Sequence, residues 1–231
     1  MAVNMNNSKS LAGLAYEAIK KEILTCTLEP GGRIAQAQLV KRYEFGITPV
    51  REALKRLEQD GYVQSIPRFG YLISPINVKD IEDIYDLRLI LEKSSVRMAI
   101  QRATQEQIAG LQAQAQFTYT YHDRASYLEF LNHNIHFHVD IARASGNAKL
   151  AEILEDLLGE MTRIFHLGLE ARDSAEEMRA EHLALAAALS ERDAARAEQI
   201  VCDQITRSRQ RVMEMLARYQ PQQAMSYTWR E

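Results

Sequence analysis

The chain has 231 residues, 46% of them apolar and 26% charged, with 28 Lys and Arg against 31 Asp and Glu. That balance belongs to a folded protein with room for one large domain or two modest ones, and it excludes a disordered chain. No apolar run approaches the roughly 20 residues that span a bilayer, which excludes an integral helical membrane protein. The N-terminal stretch lacks the basic start and apolar core of an export signal. Two cysteines, Cys26 and Cys202, make no disulfide framework and suit a reducing cytoplasm. The charge is uneven: residues 1–75 carry 10 basic against 7 acidic side chains, and residues 76–231 carry 18 against 24. A mildly basic head on an acidic body is compatible with a small nucleic-acid reader joined to a different module, and equally with a chance imbalance between two ordinary domains.

Residues 1–10 are polar and expected to fray. From Leu11 the apolar positions Leu14, Ala15, Ala18, Ile19 and Ile23 recur at helical spacing, and Pro30-Gly31-Gly32 stops the run. A short segment around Arg33 and Ile34 follows. Gln36 to Tyr43 reads as a second helix, which Gly46 breaks. Thr48 to Asp60 is the best-punctuated helix of the chain. Thr48 is expected to cap it, Pro49 to open it and Gly61 to lie just past its end. Val50, Ala53, Leu54 and Leu57 form its inward stripe, and Arg51 and Lys55 face outward. Tyr62 to Ser65 and Tyr71 to Ile73 read as a two-stranded hairpin around Arg68-Phe69-Gly70, with a domain boundary at 74–77.

The rest reads as almost pure helix, with elements expected at 78–102, 105–122, 124–145, 147–170, 174–191 and 193–218. The first of these repeats its apolar face through Ile81, Ile84, Leu87, Leu91 and Met98. Loops this short fold neighbouring helices back on each other as a bundle. The tail from Tyr219, with Gln220, Gln222, Gln223, Tyr227 and Trp229, is expected to pack on a partner or fray. The fold class expected is mainly α. A winged helix-turn-helix spans residues 1–75, and an all-helical bundle spans 76–231.

Three short helices and a hairpin suit DNA. A helix enters the major groove with its outward N-terminal residues on base edges and phosphates, and a wing sets a cation beside the minor groove. By this reading Thr48, Pro49, Arg51, Lys55, Arg56, Arg68 and Gly70 form the DNA surface. The alternative is a solvated helix face whose cations pair with Glu44, Glu52 and Glu58. In the body, Asn134 and His138 are four apart and share a helix face that Ile141 and Ala142 continue inward. His133 and His136 lie elsewhere, nearer Asp140, where solvated side chains and a casual metal site are the two readings. His182 lies on a later helix beside Glu181.

Leu28-Glu29-Pro30-Gly31, the run Thr48-Pro49-Val50-Arg51-Glu52-Ala53-Leu54-Lys55-Arg56-Leu57, Asp60-Gly61-Tyr62-Val63 and Arg68-Phe69-Gly70 resemble the GntR family of bacterial transcription regulators. The helical remainder resembles the FadR-type subfamily with its FCD effector domain. The resemblance covers residues 10 to 218. It implies that Arg51 touches DNA. It also exposes two departures: Gly46-Ile47 stands where the family usually has Ser-Arg, and Ala37 stands where a second DNA-contacting Arg is frequent. Phe137-His138 and Ala144-Ser145-Gly146-Asn147 match the FCD pattern, and the metal ligands of metal-binding members fall on Asn134, His138, His182 and Gln204. Two of these four are carboxamides, so a zinc or nickel ion and a metal-free polar cavity both stand as readings. Arg88 is the candidate partner of a carboxylate effector, or else the salt-bridge partner of Glu92.

The function implied is a sequence-specific, cytoplasmic DNA-binding regulator, in the first instance a repressor. A homodimer would read a near-palindromic operator under control of a small organic acid, which favours one spacing of the two heads over another. Two other classes compete. One is a metal-dependent enzyme using the His138 and His182 cavity, although no Ser or Cys nucleophile motif and no Gly-rich phosphate loop accompanies it. The other is a protein-interaction module that binds no DNA.

Overall fold

The computed structural model describes residues 10–218. The polar N-terminal stretch before Ser10 and the tail from Tyr219 onward lie outside the described residues. The described chain divides between Ile76 and Asn77 into two compact units.

The first unit runs α1 (Leu11–Leu24), β1 (Arg33–Ile34), α2 (Gln36–Tyr43), α3 (Ile47–Gln59), β2 (Val63–Ile66) and β3 (Gly70–Ile73). Ser10 caps α1, its Oγ accepting from the Gly13 amide at 3.1 Å. The stripe of α1 (Ala15, Ile19, Ile23) meets that of α3 (Val50, Ala53, Leu54, Leu57), and Leu28, Ile34, Leu39, Val63 and Ile73 close the core. Burying each large aliphatic side chain contributes about 1.5–3 kcal/mol. Arg42 ties α2 to α1 through Glu22 at 2.8 Å.

The sheet has the order β1-β3-β2, antiparallel throughout, with Val63 opposite Ile73 and Arg33 opposite Leu72. The expected hairpin is therefore the larger part of a three-stranded sheet. The short segment at Arg33 and Ile34 supplies the third strand, too brief for periodicity to reveal. Gly70 adopts φ +92°, and a Cβ there would lie 2.6 Å from the Ile34 carbonyl oxygen, so only glycine lets β3 approach β1 this closely.

The start of α3 corrects the sequence expectation. The helix begins at Ile47 with Gly46 as its cap residue, and no side chain caps it. Thr48 therefore lies one turn position inside and does not act as the cap. Gly46 adopts the extended cap conformation without side-chain help, and Pro49 still falls in the first turn, where its missing N–H costs nothing. At the other end Gly61, with φ +77°, sits just past the Asp60 cap as expected.

The second unit is all helix: α4 (Val78–Arg102), α5 (Gln105–Gln114), α6 (Arg124–Ala144), α7 (Ala148–Glu160), α8 (Thr162–Ala171), α9 (Ala175–Ser190) and α10 (Ala194–Arg218). Asn77, Thr104, Asp123 and Asn147 cap α4, α5, α6 and α7 through their side chains. Two expected helices are shorter than periodicity implied. Residues 115–123 leave the helix after α5, and Tyr119 anchors this stretch, its hydroxyl accepting from the Ser174 amide at 2.7 Å. The single helix expected over 147–170 is two, parted at Met161, a buried junction two residues after Gly159, a weak helix former that the apolar periodicity runs straight through.

The inward stripe of α4 also differs. It runs through Ile81, Ile84, Tyr85, Arg88, Glu92, Val96 and Ala99, while Leu87 is 46% exposed. Leu87 is displaced because Arg88 and Glu92, which a hydrophobicity pattern assigns to solvent, occupy the core side. Among the described residues no helix is long and apolar enough to cross a membrane.

Candidate functional site

Two sites take shape, one in each unit. In the first, α3 buries Val50, Ala53, Leu54 and Leu57, and the helical period therefore sends Arg51 and Lys55 outward. Both are exposed, and neither has an ion-pair partner among the described residues. Thr48 is exposed at the same end, where no side chain caps the first amides of the helix, an arrangement that favours an anion. Gln36 of α2 donates from Nε2 to the Ile47 carbonyl at 3.1 Å and so fixes the N-terminus of α3 against the preceding helix. Ile47, 65% exposed, holds the place of the arginine usual in the resembled family.

Arg68 is exposed at the β2–β3 turn with φ +69°, beside Phe69 at 60% exposure, and the Arg33 guanidinium lies 5.8 Å from the Phe69 ring. Arg56 behaves differently from its neighbours. Its guanidinium stacks over Tyr16 of α1 at 4.0 Å, and the Tyr16 hydroxyl donates to Asp60 at 2.5 Å. It is exposed, as Arg51 and Lys55 are, and also engages the fold through Tyr16. The expected pairings of these cations with Glu44, Glu52 and Glu58 do not form. Glu58 instead accepts from the Ser65 amide of β2 at 3.0 Å.

The second site is a partly open cavity of about 190 Å³ lined by α4, α6, α8, α9 and α10. Arg88, Asn134, His138, His182 and Gln204, separated by up to 116 positions in the chain, all line it, and each is at most 7% exposed. Arg88 donates from Nε to Glu92 Oε1 at 2.8 Å one turn away on α4. The other Glu92 oxygen lies 2.9 Å from His138 Nδ1 on α6. Burial alone would raise the Glu92 pKa, but the Arg88 guanidinium and His138 outweigh it and pull the carboxyl down to about 2. The His182 ring stands edge-on to His138, 5.4 Å between centroids, and burial, reinforced by His138, lowers its pKa to about 3. His182 is thus a neutral imidazole at ordinary pH.

The salt bridge and the effector readings of Arg88 are compatible. Its Nε is spent on Glu92, while its Nη1 is buried without a partner. The amide of Gln204 is in the same condition at both Nε2 and Oε1. Sequence reasoning missed two contributors to this wall, and it foresaw Glu92 only as the partner of Arg88. Phe165 lies 5.6 Å beneath the Arg88 guanidinium, Arg211 reaches in from α10, and Glu92 serves His138 as well as Arg88. All depend on helix packing that no local pattern encodes.

The remaining histidines form no cluster. His133 stacks on Phe117 at 3.7 Å, His136 is exposed, and Asp140 is taken by Arg143 at 2.8 Å and Gln114 at 2.9 Å. His166, which the sequence did not single out, is fully buried against Tyr127, and burial with the nearby Arg124 charge lowers its pKa.

A resident divalent metal does not fit the donors at Asn134, His138, His182 and Gln204. Two are carboxamides, and no group of three His, Cys, Asp or Glu among the described residues is arranged to hold a metal.

Comparison with known proteins bears on both units. The sequence profile of bacterial regulatory proteins of the gntR family matches residues 11–73, and that of the FCD domain matches residues 83–207. The chain is 33% identical over 141 residues to the uncharacterized HTH-type transcriptional regulator YdhC of Bacillus subtilis (strain 168), covering 61% of this chain and 63% of that protein. It is 26% identical over 194 residues to the HTH-type transcriptional repressor GlaR of Escherichia coli (strain K12), covering 80% of this chain and 88% of that protein. Across YdhC and two further curated relatives, the chain spans 39% to 63% of their lengths. Among solved structures, E. coli McbR/YncC superposes with a TM-score of 0.66 at 23% identity, covering 91% of this chain and 99% of that one, a likeness of fold.

Proposed function

Because the chain belongs to the gntR family of bacterial regulatory proteins and carries the FCD domain, we propose that it is a cytoplasmic transcriptional regulator, acting as a repressor, whose affinity for operator DNA is set by a small carboxylate held in the helical unit. The observation that carries this reading is the outward face of α3, where Arg51 and Lys55 reach solvent with no acidic partner beside an uncapped helix start. Cations left unpaired on an exposed helix suit phosphates and guanine edges. Arg51 is the principal base contact, Thr48 and Lys55 assist it, and Arg68 follows the backbone from the wing. With Ile47 and Ala37 in place of two customary arginines, the preferred operator differs from that of typical relatives. A homodimer reading two half-sites requires that operator to be nearly palindromic.

Arg88 supports the carboxylate assignment, since a buried guanidinium with a spare N–H pairs with a carboxylate through charge-assisted hydrogen bonds. Control follows if the acid binds the operator-competent state and its alternative with different affinity. Selection of duplexes from a random pool, followed by titration of the winner, tests the reading. Arg51→Ala is expected to weaken binding at least about tenfold. Failure to enrich any sequence, or unchanged affinity of the variant, overturns it.

A further inference from the structure

Two buried groups on one cavity wall lack partners of different kinds. Arg88 Nη1 needs an acceptor. Gln204 needs both an acceptor for Nε2 and a donor for Oε1. Buried polar atoms are ordinarily satisfied, so an unmet set of this kind outlines the group that fills it. A plain carboxylate satisfies Arg88 and the Gln204 N–H but sets an anionic oxygen against Gln204 Oε1. A hydroxyl both donates and accepts, and an ammonium beside a carboxylate does the same between them.

The surroundings favour an anion without a metal. Arg88, Arg172, Arg211 and Arg218 line the cavity against Glu181 and Glu214; Arg172 and Arg211 are paired with Glu177, each at 3.0 Å, which leaves Arg88 as the buried cation with an open N–H. Glu181 is already held by Arg207 at 2.6 Å. The positions that the family resemblance assigns to a metal carry Asn134 and Gln204, whose neutral amides are poor ligands for zinc or nickel but good hydrogen-bonding groups.

Resting on the carboxylate reading above, we infer that the occupant is bound without a metal ion and carries, beside its carboxylate, a hydroxyl or ammonium group read by the two ends of the Gln204 carboxamide. Arg88 supplies the anion recognition. Gln204 supplies the discrimination between acids of equal size, because an analogue that lacks the polar group leaves Oε1 buried and unpaired.

Calorimetric titration of the full chain in EDTA tests this with matched triads: propionate, lactate and alanine; succinate, malate and aspartate; benzoate, mandelate and phenylglycine. In the triad that fits, the hydroxy or amino acid is expected to bind about tenfold or more tightly than its plain partner. Gln204→Met should narrow that gap to about twofold. Should this variant not fold, the comparison within the wild-type chain decides. Equal binding of the plain acid overturns the inference and leaves the carboxylate reading standing. No binding by any of the nine acids, either in EDTA or with added Zn²⁺ or Ni²⁺, overturns both. Binding that vanishes in EDTA and returns with Zn²⁺ or Ni²⁺ overturns the metal-free assignment. The double substitution Asn134→Asp with Gln204→His is expected to gain Ni²⁺ binding that the wild-type cavity lacks.

Discussion

In the N-terminal unit Arg51, Lys55 and Arg68 stand in solvent with no carboxylate beside them, whereas most arginines of the C-terminal unit are tied to acids. Arg97 holds Glu198, Arg124 holds Glu170, Arg143 holds Asp140 and Glu155, and Arg211 holds Glu177. Arg88 is the informative exception, paired on one nitrogen and unpaired on another in the buried interior. The difference is one of partner. A cation left open at the surface suits an extended polyanion that brings many phosphates, and a cation left half-open in a cavity suits a single small anion. Net charge conceals this, because the acidic body outweighs the basic head.

The largest expected effect breaks the buried side of this comparison. Glu92→Ala leaves the Arg88 guanidinium uncompensated in the core and should cost about 3–5 kcal/mol in chemical denaturation. The same group gives a pH signature. Its pKa is lower in the folded chain, so its contribution is present above the ordinary value of 4.5 and is lost as pH falls from there toward about 2. His182 acts in the same direction over a higher window. The unfolded imidazole takes up its proton near 6.5 and the folded one only near 3, so stability declines as pH drops through that range. His182→Phe should flatten the upper part of the acid-unfolding profile.

On the open side, Arg51→Ala should cost about 1–3 kcal/mol of operator affinity and leave the melting temperature unchanged. Lys55→Ala should weaken binding to all sequences alike and lower the salt dependence by about one counterion. The smallest effect belongs to Arg56→Ala. It removes the contact with Tyr16 and should cost about 0.5–1 kcal/mol of stability, with less loss of DNA affinity than Arg51→Ala. A loss equal to that of Arg51 would make Arg56 an equal partner of Arg51 on the DNA surface.

Much of this was legible in the residues. The bounds of α2 and α4 follow from their punctuation, and the four-residue spacing of Asn134 and His138 puts them on one inward face. What escaped is non-local. Leu87 was assigned to the core because Arg88 and Glu92 look like surface residues until α6 brings His138 against them. The break at Met161 is announced only by Gly159, and a lone glycine inside a helical pattern is often tolerated. The stretch after α5 leaves the helix for contacts with Ser174, more than 50 residues away. Thr48 looked like a cap because its residue type suits one, but Gly46 already held the required backbone angles. The unmet amide of Gln204 could not be seen at all, since it is defined by the partners it lacks in the packed bundle.

Gly70 carries a practical consequence. Its position tolerates no side chain, because β1 lies where one would go, while Arg68 two residues away is open to solvent. In a random-mutagenesis screen for loss of DNA binding, substitutions at 70 should yield chains that are poorly soluble or rapidly degraded. Substitutions at 68 should yield well-expressed chains that have merely lost their grip. The two sites, almost adjacent in the gene, thus offer a built-in calibration for telling broken scaffolds from blunted contacts.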